Sequence, residues 1–82
     1  MGRRVATVLN AFRASIPNLD GVTAIKVLTD NPRRDESAFF MELTEPFPQP
    51  GDTVEWGTKR VWWKGGVYRK RGYSFDDSLP LH

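Results

Sequence analysis

Eighty-two residues, 39% hydrophobic and 27% charged, describe one small domain with a thin core. Cysteine is absent, which excludes disulfides and thiolate metal sites, and no apolar run approaches the roughly 20 residues of a membrane span. The formal net charge of +2 is unevenly placed: Lys59, Arg60, Lys64, Arg69, Lys70 and Arg71 fall within residues 57–75, which hold no acid, leaving six basic residues against ten acids elsewhere.

In chain order, residues 3–16 place Val5, Val8, Leu9, Phe12 and Ile16 at helical spacing. They are expected to form an amphipathic helix ended by Pro17, because the residue before a proline is pushed out of the helical region. The β-branched run over residues 22–29 reads as a strand, and NPRRDES supplies turn chemistry. Residues 37–44 alternate, with Phe39, Met41 and Leu43 on one face and Ala38, Phe40 and Glu42 on the other. The tip of this hairpin carries Arg33 and Arg34, which could join a basic surface or stand in water. Prolines at 46, 48 and 50 make EPFPQPG an extended connector, with Phe47 turned inward.

Three strands follow, over about residues 52–57, 59–64 and 67–73, with a tail over 74–82. A Gly57-Thr58 turn would set Trp56 opposite Lys59, Glu55 opposite Arg60 and Val54 opposite Val61. A Gly65-Gly66 turn would set Lys64 opposite Val67, Trp63 opposite Tyr68, Trp62 opposite Arg69 and Arg60 opposite Arg71. Both turns assign Val54, Trp56, Val61, Trp63 and Tyr68 to one apolar face. The other face collects Thr53, Glu55, Arg60, Trp62, Lys64, Val67, Arg69, Arg71 and Tyr73. The fold class expected is therefore α+β: an N-terminal helix packed on a twisted antiparallel sheet of about five strands, curled toward an SH3- or OB-like barrel.

Catalytic chemistry finds little footing. The only histidine is His82, and the only adjacent acid pair is Asp76-Asp77. No nucleophile–histidine set, zinc cluster or phosphate-cradling loop is present. The chain is read as a non-enzymatic binding module without cofactor, metal or small-molecule substrate. Its lack of a signal-peptide apolar core suggests a cytoplasmic place. Arg60, Lys64, Arg69 and Arg71 would neutralise phosphates, and Trp62 and Tyr73 would stack on bases. Four engaged phosphates would give a salt slope of about −3.6 on duplex DNA. The alternative is a solvated sheet face with Arg stems covering Trp62.

Exposed Trp, Tyr and Arg are also interface anchors, so a protein partner is a second reading. AFFMELTEPFPQPGDTVEWG, residues 38–57, resembles the strand, loop and GD-hairpin stretch of the small head–tail joining proteins of tailed bacteriophages. The resemblance implies a virion part that docks to protein rings, and carries over no residue-level roles. A small regulator docking on one host protein would look the same.

Overall fold

The computed structural model describes residues 3–17 and 19–71. Tyr73, the acid pair Asp76-Asp77, the tail and His82 lie outside the described residues. Among the described residues six strands form: β1 (Arg4–Ser15), β2 (Thr23–Thr29), β3 (Ala38–Met41), β4 (Thr53–Trp56), β5 (Arg60–Trp63) and β6 (Gly66–Arg71). All neighbours are antiparallel, and the sheet closes on itself as a barrel in the order β1-β2-β3-β6-β5-β4. The one helical element among the described residues is a single 3-10 turn, Arg34–Glu36.

The α+β expectation is thus corrected to all-β, because residues expected as a helix are the longest strand. The sequence misleads through a β-bulge. Val8 pairs with Thr29 and Asn10 with Leu28, so Leu9 is an extra residue on β1. Inward positions run Ala6, Val8 and then Ala11, which inserts a three-residue step into a period-two pattern and hides the alternation of a strand. The supposed helical stripe does not exist as a buried face: Val8 and Ile16 are buried, but Val5 and Leu9 are 60% and 58% exposed.

Pairing demand explains why tertiary structure overrides local pattern. Arg4–Thr7 pair with β4, whereas Val8–Ser15 pair with β2. Coiling residues 4–15 into a helix would leave both of those strands with open edges. The bulge bends β1 where its partner changes. After Ser15 the chain turns tightly, with the Ile16 N–H donating to the Val22 carbonyl at 2.8 Å.

The core alternates inward from β1 to β5: Val8, Ile25, Val27, Phe39, Met41, Val54, Trp56, Val61 and Trp63 belong to one buried cluster, and Tyr68 of β6 packs against it. Phe39 and Trp56 stack with ring centroids 4.6 Å apart. Met41 ends β3, so Leu43, expected on the inner face, is exposed. The proline connector closes one part of the barrel, with Phe47 packed on the core and Pro48 fully buried.

Its last turn carries a polar clamp. The Asp52 N–H donates to the Gln49 carbonyl across Pro50-Gly51, and this turn docks on β1 through Val8 N–H to Asp52 O and Gly51 N–H to Val8 O, both 2.8 Å. The Asp52 carboxylate accepts from the Gln49 N–H and from the Trp63 indole Nε1, each at 3.0 Å. Trp63 can therefore bury its ring without stranding its polar hydrogen. A second ion-paired link joins β1 to the β2–β3 turn, where Arg4 Nε lies 2.8 Å from Glu36 Oε1. The Arg4 hydrogen bond holds the Glu36 carboxyl below the ordinary carboxylate range.

Two outcomes follow from this packing. Trp63→Ala should cost roughly 3–5 kcal/mol in urea denaturation, enough to unfold much of so small a domain. Asp52 is held below the usual carboxylate range, first by the Gln49 N–H and then by the Trp63 indole. A depressed folded-state pKa stabilises above the unfolded value and loses that contribution as pH falls through the folded one. Asp52→Asn should therefore lower the urea midpoint at pH 7. The gap to wild type should begin to narrow below about pH 4, the unfolded aspartate value, and close only as pH falls through the lower folded-state value; a gap that persists unchanged in acid would contradict the charged clamp.

Candidate functional site

Both hairpins of the β4–β5–β6 meander turn one residue away from the expected places. In the first, Gly57 N–H donates to Arg60 O, so Thr58-Lys59 is the loop and Trp56 faces Val61. In the second, Trp63 faces Gly66 around Lys64-Gly65, whose φ angles of 49° and 78° fit a type I′ turn. Gly66 is a strand residue, and its lack of a side chain serves Tyr68: a Cβ there would meet the Tyr68 hydroxyl at 2.6 Å. Each displaced turn moves the register by two residues. Partners change but faces do not, since side chains alternate with period two. Val54, Trp56, Val61 and Trp63 are accordingly buried, and Tyr68 packs on them.

On the outer face the register brings Arg60 opposite Arg69, not Arg71. Both are exposed. Lys59 joins them, because its carbonyl accepts from the Lys70 N–H at 2.9 Å and so ties the first hairpin loop to β6. Together with Glu42, Val67, Tyr68 and Lys70, these residues line an open concavity of about 530 Å³. Glu42 is the one carboxylate on that lining, and one of its oxygens accepts the Arg69 backbone N–H at 3.0 Å.

The charge pattern sets this concavity apart. Arg3 pairs with Glu55, Arg4 with Glu36, Arg13 with Glu45 and Arg33 with Asp35. The hairpin-tip residue Arg33 is therefore engaged with acids. Among the described residues Lys59, Arg60, Arg69 and Arg71 form no ion pair. Like charges opposed across strands disfavour each other, and an anion between them relieves the repulsion.

Trp62 stands elsewhere. Its cross-strand partners are Glu55 and Val67. The Arg3 guanidinium lies 3.8 Å from its ring centroid, and Arg3 Nη1 is anchored 2.9 Å from Glu55 Oε2. The benzenoid ring also lies over Gly57, where a Cβ would stand 3.8 Å from Cζ3. Trp62 and Lys64 line a second, smaller concavity of about 290 Å³ with Val5, Thr53 and Glu55. The six residues named from sequence thus separate: Arg60 and Arg69 meet in one concavity, Trp62 and Lys64 in another, Arg71 borders neither, and Tyr73 lies outside the described residues.

No family model, curated protein or solved structure matches this chain. The site must therefore be read from its own chemistry. No group of three or more His, Cys, Asp or Glu side chains converges among the described residues. What converges is positive charge and open apolar surface, which suits binding an extended anion.

Sequence reasoning missed Lys59 and Arg3. Lys59 was placed inside a strand, whereas it sits in the loop. Arg3 reaches Trp62 from the opposite end of the chain, and no local signal marks that contact.

Because Trp62 is half-exposed and held by a surface guanidinium, Trp62→Ala should leave the fold intact. The expected cost is at most about 2 kcal/mol in chemical denaturation, from the cation–π contact and partial burial. Unfolding on a scale equal to Trp63→Ala would overturn the assignment of the two tryptophans to opposite faces.

Proposed function

We propose that this protein is a non-enzymatic module that binds the phosphate backbone of nucleic acid through the Arg60–Arg69 concavity. The observation that carries the reading is the opposed pair Arg60 and Arg69 on an open surface, neither in an ion pair, in a chain whose Arg3, Arg4 and Arg13 are matched with carboxylates. Arg60, Arg69 and Lys59 contact phosphates, and Arg71 extends the charge along the outer face of β6. Lys64 sits beside the second concavity and adds to the general field. Trp62 serves chiefly to seat Arg3, since the guanidinium occupies its ring face.

A protein-docking reading is favoured by no comparable feature. The stretch that resembles head–tail joining proteins runs through β3, the connector and β4; its Phe39, Met41, Pro48 and Trp56 are buried and explained by the core, while Phe40 points outward and Leu43 is exposed.

The test is a salt-dependent titration against single- and double-stranded oligonucleotides. Binding should be measurable at ~50 mM salt and weaken steeply by ~200 mM. Arg60→Ala and Arg69→Ala should each reduce the salt slope by about 0.7–0.9, the share of one phosphate contact. No binding to either polymer at low salt, or concentration-dependent ring formation without nucleic acid, would defeat the proposal in favour of assembly.

A further inference from the structure

The outer face of the opposite wall carries a row that the phosphate concavity does not use. Phe12 on β1 pairs with Lys26 on β2, Lys26 with Phe40 on β3, and Phe40 with Arg71 on β6. Directly opposed residues share a face, and the flanking Ile25, Val27, Phe39 and Met41 point into the core. All four members of the row therefore point outward. They alternate aromatic and cation across four adjacent strands, a span of about 14–15 Å at ordinary strand spacing.

The row is continuous with the concavity. Arg69 and Arg71 are two residues apart on β6 and share its outer face, so the path runs Arg60, Arg69, Arg71, Phe40, Lys26, Phe12. Phe12 is 39% exposed, a large aromatic left in water on a strand that offers buried positions nearby. Lys26 Nζ lies 5.6 Å from the Phe40 ring centroid, and Lys26 forms no ion pair among the described residues. This differs from Arg3 over Trp62, which is both closer and anchored by Glu55. Lys26 is free to swing its ammonium to a phosphate and uncover Phe40.

Resting on the phosphate-binding reading, we infer that the ligand is single-stranded nucleic acid. It runs from the Arg60–Arg69 concavity across Arg71 to stack bases on Phe40 and Phe12, with Lys26 on the phosphate between them. Phe12 and Phe40 lie two strand spacings apart, about 10 Å. A duplex keeps its bases stacked on one another and offers no face to an aromatic side chain. An unpaired strand can splay its bases onto such side chains without regard to sequence.

The test compares thymidine, deoxyuridine and uridine oligonucleotides of roughly 10 nucleotides, a length small barrels can occlude, with a duplex of equal length. Wild type, Phe12→Ala, Phe40→Ala, Phe40→Leu and Lys26→Gln are titrated, with thermal melting to establish folding. Wild type should prefer the single strand. Phe12→Ala and Phe40→Ala should each lower single-strand affinity by roughly tenfold with the salt slope unchanged. Lys26→Gln should instead reduce the slope by about 0.7. If Phe40→Ala is unfolded, Phe40→Leu and the exposed Phe12→Ala carry the comparison. Folded Phe variants that bind single strands as wild type does, or equal affinity for duplex, would overturn the inference. In that case loss of binding in Arg60→Ala and Arg69→Ala would still support the phosphate reading. Failure of wild type to bind any of the polymers would remove both. Deoxyuridine and uridine oligonucleotides, which share a base and differ only at the 2′ position, tell DNA from RNA.

Discussion

β1 hydrogen-bonds to β4 through its first residues and to β2 through the rest, and the barrel closes only because the chain bends between those halves at Leu9. Everything outside depends on that closure. A closed sheet has no free edge to set by trial, so inner and outer faces are assigned to each strand together. The Pro50-Gly51 turn grips β1 at Val8, beside the bulge, and its Asp52 accepts the Trp63 indole hydrogen. The same point thus fixes the bend, the connector and the central tryptophan of the meander.

With the faces fixed, charge is sorted around the barrel. Arg3 and the β1 arginines Arg4 and Arg13 meet acids from β4, the 3-10 turn and the connector. On β5 and β6, Arg60 and Arg69 face one another and form no ion pair. Repulsion of this kind is tolerable on a solvated surface and becomes favourable when a phosphate sits between the guanidiniums. The proposed anion site lies on the outer face, apart from the buried cluster that holds the fold, so its charges can be changed without loss of the core.

The two-faced meander was legible in the sequence because its signal is a parity. Misplacing each turn by one residue shifted the pairing by two, and Trp56 and Trp63 stayed inside while Trp62 and Arg60 stayed outside. The N-terminal strand was illegible for the opposite reason. One bulged residue broke the period-two alternation that would have marked a strand, and left the i, i+3, i+4, i+7 spacing of Val5, Val8, Leu9 and Phe12 as the stronger local pattern. That error also hid the Phe12–Lys26–Phe40 row, since Phe12 was assigned to a buried stripe. Trp62 looked unpartnered because its cover, Arg3, is remote in sequence and was placed on that same supposed helix.

If nucleic acid follows the cationic outer face of β5 and β6 toward Phe40, and not the Trp62 surface, backbone amide chemical shifts recorded during addition of a thymidine oligonucleotide will show the path. Shifts should trace Lys59, Arg60, Arg69, Arg71, Phe40, Lys26 and Phe12 while Val5, Thr53 and Glu55 stay still. Shifts centred on Arg3, Glu55 and Trp62, with the Arg60–Arg69 pair unmoved, would contradict that path.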